Sequence, residues 1–429
     1  MAGARRITIR VVRLLLVVAP ALSGRAGQFV ALATLALVLS PAGYGRFVAM
    51  QTLLLGVASV LGSTTSAMTN AAAARTTQRR STDLLPLVRV LVLARWRTFL
   101  VNACCAAVVL PIGVAALGLG LRSDEIVALI VLGALSGVLP VAEGITAVVV
   151  GRGKPLVGSV VDAGRAVGSS AGAFVGAVVL GPIGGVAGML VLDVVGVLGV
   201  LVALRVMPRP TGSDVLVVDR EHDHDLRSGG VVAGISANVL GQIANWAVLW
   251  GISAVGGAVG LGVYGVASRF ASVTTVAPVV LGRAVVGELA APRPGQNHWT
   301  ARSYVTVVTV LSVVSSAAAL ALLVFVFPGL VRSYDGLVAV TVAVLVAACL
   351  RAVLISVGNV CVARRRWGTW VSADVAAMLT VLGGLVVCAA TGGDVVQIVV
   401  VAAAGSAVGV AVRLVGLARP ARRAAGSLA

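Results

Sequence analysis

The chain has 429 residues, of which 59% are hydrophobic and 11% charged, and its mean hydropathy is +1.07. That composition excludes a soluble globular protein and identifies an integral membrane protein. A net charge of +18 would suggest nucleic acid in a soluble chain, but here the positions of the basic residues explain it, and no nucleic-acid partner is expected.

The apolar runs are ~20 residues or longer, the length of membrane-crossing helices, whereas barrel strands are ~10 residues and alternate. The predicted fold class is therefore all-α, with about 12 transmembrane helices at 14–39, 47–69, 98–119, 126–150, 155–179, 186–204, 231–252, 261–282, 304–326, 337–360, 369–390 and 395–418. The first run follows a basic head, like a signal peptide, but continues past Arg25 to Leu39 and is read as a retained helix. The longest polar stretch, Arg205 to Gly230, leaves no room for a soluble domain. It divides the chain into an N-terminal six-helix bundle (1–204), a cytoplasmic linker (205–230) and a C-terminal six-helix bundle (231–429).

Two echoes relate the halves. Pro41-Ala-Gly-Tyr-Gly-Arg46 with Val60-Leu-Gly62 recurs as Leu261-Gly-Val-Tyr-Gly-Val266 with Val280-Leu-Gly282, an offset of 220 residues from Tyr44 to Tyr264. Arg152, Lys154 and Asp162 recur as Arg364, Arg366 and Asp374, at an offset of 212. Six spans per half bring both halves in from the same face, so the repeat is parallel, and such folds place the substrate where the repeats meet.

With the N-terminus in the cytoplasm, that face holds 25 of the 33 basic residues; the opposite face holds Arg46, Arg122 and Arg332, and five lie within spans. This asymmetry predicts a multi-pass protein of the cell membrane with both termini cytoplasmic. Tyr44, Tyr264, Tyr304 and Tyr334, with Trp96, Trp299, Trp367 and Trp370, fall near span ends and are expected to form an interfacial belt.

Ionisable groups inside spans carry the most information, since a charge near the bilayer centre costs at least ~2.5–3.5 kcal/mol. Arg25 and Arg269 lie deepest and are read as substrate-binding. Arg165, Arg351 and Arg413 lie nearer the cytoplasmic ends and are expected to snorkel. Asn238, Gln242 and Asn245, at i, i+4 and i+7, place three amides on one helical face, read either as interhelical glue or as further cavity residues. The 220-residue offset carries Arg25 onto Asn245, so spans 1, 2, 7 and 8 are expected to line one central cavity.

Among the intramembrane acids Glu143, Asp162, Asp193 and Asp374, the ion-coupling candidates are Glu143, Asp162 and Asp374. Glu143 follows Pro140, which can break its helix and free backbone groups. Asp162 and Asp374 are also expected to pair with arginines such as Arg165. Cys104, Cys105, Cys349, Cys361 and Cys388 read as small hydrophobes, neither a disulfide framework nor a metal set.

Enzyme signatures do not hold. Glu221-His222-Asp223-His224-Asp225 is a solvated charge run in a linker with no fold to present it. Gly151-Arg-Gly-Lys-Pro155 lacks the first spaced glycine and the Ser or Thr of a phosphate loop. No catalytic residue, metal or cofactor is expected.

Leu39-Ser-Pro-Ala-Gly-Tyr-Gly-Arg-Phe47, followed by Val60-Leu-Gly62 and Ala74-Arg75, resembles the first hairpin of bacterial polysaccharide flippases of the MOP (MATE-like) exporter superfamily. Gly262-Val-Tyr-Gly-Val-Ala-Ser-Arg-Phe270 is similar to the start of that family's second half. The resemblance implies a transporter that flips an undecaprenyl-pyrophosphate-linked oligosaccharide or polysaccharide precursor to the outer leaflet by alternating access. It also implies a cationic cavity for the diphosphate and, as partners, the lipid-linked glycan, membrane lipids, a glycan polymerase and glycosyltransferases. Arg25 and Arg269 suit that cavity, because guanidinium binds phosphate through two parallel hydrogen bonds. Twelve spans, where the lipid II branch has fourteen, argue against a peptidoglycan precursor. The alternatives are a MATE-type multidrug exporter, which would favour an acidic cavity, and a membrane-embedded glycan polymerase or ligase, for which the short outer loops offer no catalytic constellation. A major facilitator is disfavoured because Arg75-Thr-Thr-Gln-Arg-Arg-Ser-Thr-Asp83 lacks that family's signature.

Overall fold

The computed structural model describes residues 23–24, 26–77, 96–120, 123–151, 155–206, 229–276 and 300–419, with scattered positions between 278 and 289. Arg25, Arg152, Lys154 and most of the 205–230 linker lie outside the described residues. The described residues are helical apart from short turns. In chain order the helices are α1 (Ala26–Val38), α2 (Pro41–Thr77), α3 (Trp96–Ala116), α4 (Ser123–Leu135), α5 (Val138–Gly151), α6 (Pro155–Val206), α7 (Gly229–Ser272), α8 (Ala301–Ala321), α9 (Pro328–Ser333), α10 (Leu337–Ala363), α11 (Trp367–Thr391) and α12 (Val395–Ala418).

Eight helical stretches among the described residues are long and apolar enough to cross a membrane. Their outward faces carry large bare hydrophobes such as Leu180, Phe325 and Val386, 72%, 81% and 69% exposed, which in water would be a severe liability and in lipid are not. At 52 residues, α6 would run ~78 Å if straight, more than twice the ~30 Å hydrocarbon core. It is broken at Gly181, whose φ of 68° and ψ of −157° are non-helical, just before Pro182. The two arms fold back on each other. A Cβ on Gly172 would strike the carbonyl of Gly188, and one on Gly176 that of Gly184, so only glycine permits this backbone-to-backbone approach.

A second hairpin is built the same way, for α7 is broken at Gly257 (φ 57°, ψ −152°). The two breaks fall inside the predicted boundaries 179–186 and 252–261.

Local chemistry sets the other ends. Asp394 and Gln397 form a reciprocal capping box at the start of α12, and Thr300 with Ser303 does so for α8, satisfying amide groups that would otherwise be orphaned. Before Glu143, α4 ends at Leu135 and α5 begins at Val138, with Pro140 in its first turn. Ser136 Oγ donates to the Gly133 carbonyl (2.6 Å), and Asn102 Nδ2 approaches the Ser136 carbonyl at 3.4 Å. These bonds settle the backbone that the break frees.

The tyrosines correct the expected belt. Tyr44, Tyr304 and Tyr334 are at most 1% exposed. Tyr334 OH donates to the Ala36 carbonyl (2.8 Å), and Tyr304 OH donates to the Pro278 carbonyl (3.3 Å) while accepting from Asn359 Nδ2 (2.9 Å). A ring anchored at its hydroxyl inside the protein cannot face lipid headgroups, so Tyr304 and Tyr334 instead tie helices together, and Tyr44 is buried edge-to-face against Tyr334.

The halves meet through the two copies of the Tyr-Gly motif. A Cβ on Gly45 would meet the carbonyl of Ala258, one on Gly262 the carbonyl of Pro41, and one on Gly265 the side chain of Val48. Thus α2 and the second arm of α7 run in the same direction with their motifs facing. The first arm of α7 runs against α2, where Gln242 Nε2 donates to Ser59 Oγ (3.0 Å). On the other side Phe29 of α1 packs edge-to-face on Phe270 at 4.7 Å, and both touch Phe327.

Candidate functional site

A cavity of about 470 Å³ opens within the 229–419 half, walled by α7, α10, α11 and α12. Its lining follows helical periodicity: Asn238, Gln242 and Asn245 from α7; Arg351, Leu354, Ile355, Gly358 and Asn359 from α10; Trp370, Asp374, Ala377, Met378 and Val381 from α11. Each set repeats at three or four residues, so each helix gives one stripe to the space. The α12 stripe ends at Arg413, and the second arm of α7 adds Tyr264, Ser268 and Ser272.

The two charged helices can approach because their contact is small. Gly405 lies against the Ala377 carbonyl, and Gly409 against the Ala377 side chain. Arg413, 3% exposed, donates from Nη2 to Asp374 Oδ1 at 2.6 Å and from Nη1 to the Leu354 carbonyl. A Cβ at Gly358 would collide with this guanidinium. Arg413 therefore does not snorkel, contrary to expectation: its partner is one helix away, and the pairing lowers the cost of burial that snorkelling would otherwise avoid. Arg351, also expected to snorkel, lines the cavity and remains exposed. Its charge reaches both Asp374 and Tyr264. The lining arginines thus outnumber the lining carboxylate, with Asp374 already engaged.

The other half has an ion pair of its own, with the charges exchanged between helix arms. Arg165 Nε, on the first arm of α6, donates to Asp193 Oδ1 on the second arm at 3.3 Å, and Ser169 Oγ donates to Asp193 Oδ2 at 3.3 Å. So Arg165 pairs with Asp193, which hydropathy alone left without a role. Asp162, half-buried, lies one turn earlier on the same arm.

The sequence candidates divide between two places. Asn238, Gln242, Asn245 and Asp374 come together in the cavity. Arg269 is not among its lining residues. It donates from Nη2 to Gln51 Oε1 on α2 and lies beside Tyr44, at the seam between the halves. Where spans 1, 2, 7 and 8 were expected to enclose a cavity, α2 and α7 pack directly through their glycines. Glu143 faces Gly62, as Asn359 faces Gly282; the Val-Leu-Gly of each motif copy meets a polar side chain from a later helix. Arg351 and Arg413 were visible as intramembrane charges, but their roles depend on partners that no local pattern reveals. Among the described residues no group of His, Cys, Asp and Glu is placed to hold a metal ion.

No family model matches the chain, and no curated protein matches it. Solved structures do. A MOP-superfamily transporter from Pyrococcus furiosus, described as having a binding pocket of reverse polarity that suggests a different function, matches at 15% identity over 94% of each chain, with a TM-score of 0.60. The MATE multidrug transporter DinF-BH in complex with R6G matches at 13% identity over 94% of each chain, TM-score 0.65. The lipid II flippase MurJ in an inward closed conformation matches at 10% identity over 91% of this chain and 85% of that one, TM-score 0.62. The chain is a multi-pass membrane protein with the fold of the MOP-superfamily transporters.

Proposed function

We propose that the protein flips a lipid-linked oligosaccharide or polysaccharide precursor, carried on undecaprenyl pyrophosphate, to the outer leaflet of the cell membrane. The observation that carries this reading is the composition of the cavity: Arg351 faces it together with Asn238, Gln242, Asn245 and Asn359, while Asp374, its carboxylate, is engaged by Arg413. A guanidinium without a carboxylate of its own suits a phosphate, and amides suit sugar hydroxyls, while a cationic drug would meet net positive charge. A MATE-type exporter, the second reading, draws support from the DinF-BH likeness in fold but not from this polarity.

Counting both arms of α6 and α7, and α4 with α5 as one crossing, the proposed protein has twelve crossings in two six-helix bundles. Both termini lie in the cytoplasm. In that orientation the Gly45–Gly262 seam closes the outer end, and the lipid tail stays in the bilayer while the headgroup enters the cavity. Arg269 then acts at the seam between the halves, Arg25 remains a candidate ligand for the diphosphate, and Glu143 and Asp162 remain coupling candidates. A glycan polymerase and glycosyltransferases would be the functional partners.

The test is surface display of glycan in a strain lacking its own flippase. The proposal expects display from the wild type and its loss in Arg351→Ala at normal membrane abundance; drug resistance without display would favour the exporter.

A further inference from the structure

The pair Asp374–Arg413 does more than a structural ion pair requires, since both members line the cavity. A purely structural pair would sit between packed helices, whereas this one borders the space that cargo would fill. Charge counting shows the consequence, resting on the flippase reading above. With the pair intact, Arg351 is the uncompensated charge of the lining. A lipid diphosphate sugar is a diphosphate diester bearing two negative charges, so one would be left without a partner, close to the Asp374 carboxylate. In a space of low dielectric that arrangement is unfavourable on both counts.

We infer that cargo displaces Asp374 from Arg413, and that Asp374 leaves the pair as the neutral acid. The proton comes from water. Arg413 Nη2–H, which donated to Asp374 Oδ1, then donates to a phosphate oxygen, and Arg351 takes the other phosphate. Two guanidinium groups then face two phosphate charges, and the cavity with its cargo is neutral. Arg413 is thus a second anion ligand held in reserve, and Asp374 is its placeholder and the proton acceptor.

The surroundings permit this assignment. Asp374 is faced by Arg413 from α12, by Arg351 from α10, and by the Cys361 thiol from α10. The α7 stripe opposite it carries the uncharged amides Asn238 and Gln242. Its own helix offers Trp370 and Met378, neither charged. Arg413 keeps its bond to the Leu354 carbonyl, so releasing Asp374 does not strand it.

The sign of the linkage follows. The bound state holds a proton that the free state lacks, so affinity is highest at low pH and falls as pH rises. The experiment is calorimetric titration of the purified full chain in detergent with a short-prenyl diphosphoryl sugar, whose diester charge is fixed, between roughly pH 7 and 9, in buffers of different ionisation heat. Expected is uptake of about one proton per cargo bound, with affinity falling about tenfold per pH unit. Asp374→Asn should bind without proton uptake and with affinity independent of pH, and Cys361→Ser should retain the uptake. If Asp374→Asn does not fold, Asp374→Ser makes the same comparison. Wild-type binding without proton uptake, or undiminished uptake in either Asp374 variant, overturns the inference and leaves the flippase reading standing. Absence of any binding by the wild type overturns the flippase reading itself.

Discussion

Arg269, which follows the second Tyr-Gly motif, donates its Nη2–H to Gln51, which follows the first. The two residues stand at nearly the same place in the two copies, five after Tyr264 and seven after Tyr44. Gln51 in turn donates to Met189 Sδ at 3.4 Å, so this contact joins the second arm of α7 to α2 and to the far arm of α6. An arginine that could look like a ligand for cargo is therefore, in this conformation, a fastening between the halves.

The seam around it should have to open during transport. Gly265 and Val48 are adjacent across it: a Cβ built on Gly265 lies 3.1 Å from Val48 Cβ, somewhat tighter than the ~3.5–4.5 Å between Cβ atoms of a disulfide and within reach of a small backbone shift. The pair Val48→Cys, Gly265→Cys, in a background without the native cysteines, should crosslink on mild oxidation. Glycan display should then cease and return on reduction. Crosslinking that leaves display intact would mean this seam is static.

The hairpin of α6 makes a prediction about stability. Gly176 has no room for a side chain, because a Cβ there would lie against the Gly184 carbonyl, while Gly164 on the same arm has nothing within 4 Å of its Cβ position. Gly176→Val should lower membrane abundance and thermal stability, since backbone must move to admit it. Gly164→Ala should be neutral or slightly stabilising, because alanine is the better helix former. Equal behaviour of the two variants in a detergent melting assay would contradict the close packing.

The ion pair of the 26–206 half should be asymmetric in its energetics. Asp193 is the more buried partner, its side chain 6% exposed against 23% for Arg165. Removing Arg165 leaves a buried carboxylate with Ser169 as its remaining partner, a loss of up to ~3–5 kcal/mol. Removing Asp193 leaves an arginine that can extend toward solvent or headgroups. Arg165→Ala should therefore melt at a lower temperature than Asp193→Ala, and the exchanged double variant Arg165→Asp, Asp193→Arg should recover part of the loss.

Legibility in the sequence followed the range of the interactions involved. The breaks at Gly181 and Gly257 fall between apolar runs that the sequence already separates, so hydropathy located them, while the glycine conformation that makes each break was not read from the sequence. The amide stripe Asn238, Gln242 and Asn245 was readable because helical periodicity puts it on one face. What that face looks onto was not, because the other walls come from α10 to α12, more than 90 residues later. For the same reason Arg413 read as a snorkelling residue: Asp374, 39 residues before it, is its neighbour only once α11 and α12 pack. The tyrosines misled because nearness to a span end is a position along the chain, whereas an interfacial belt is a direction of the side chain.

The orientation is open to a direct measurement. Ser333 and Gly368 lie at opposite ends of α10, Ser333 just before it and Gly368 just after the Arg364–Arg366 turn. Both are exposed, and nothing lies within 4 Å of a Cβ at Gly368, so a cysteine is tolerated there. The basic residues concentrate on the Gly368 side, and cytoplasmic loops carry that excess. In a background lacking the native cysteines, Ser333→Cys should react with an impermeant maleimide in intact cells. Gly368→Cys should react only after the membrane is opened. The reverse pattern would invert the protein, place the Gly45–Gly262 seam at the cytoplasmic end, and require cargo to enter from the opposite leaflet.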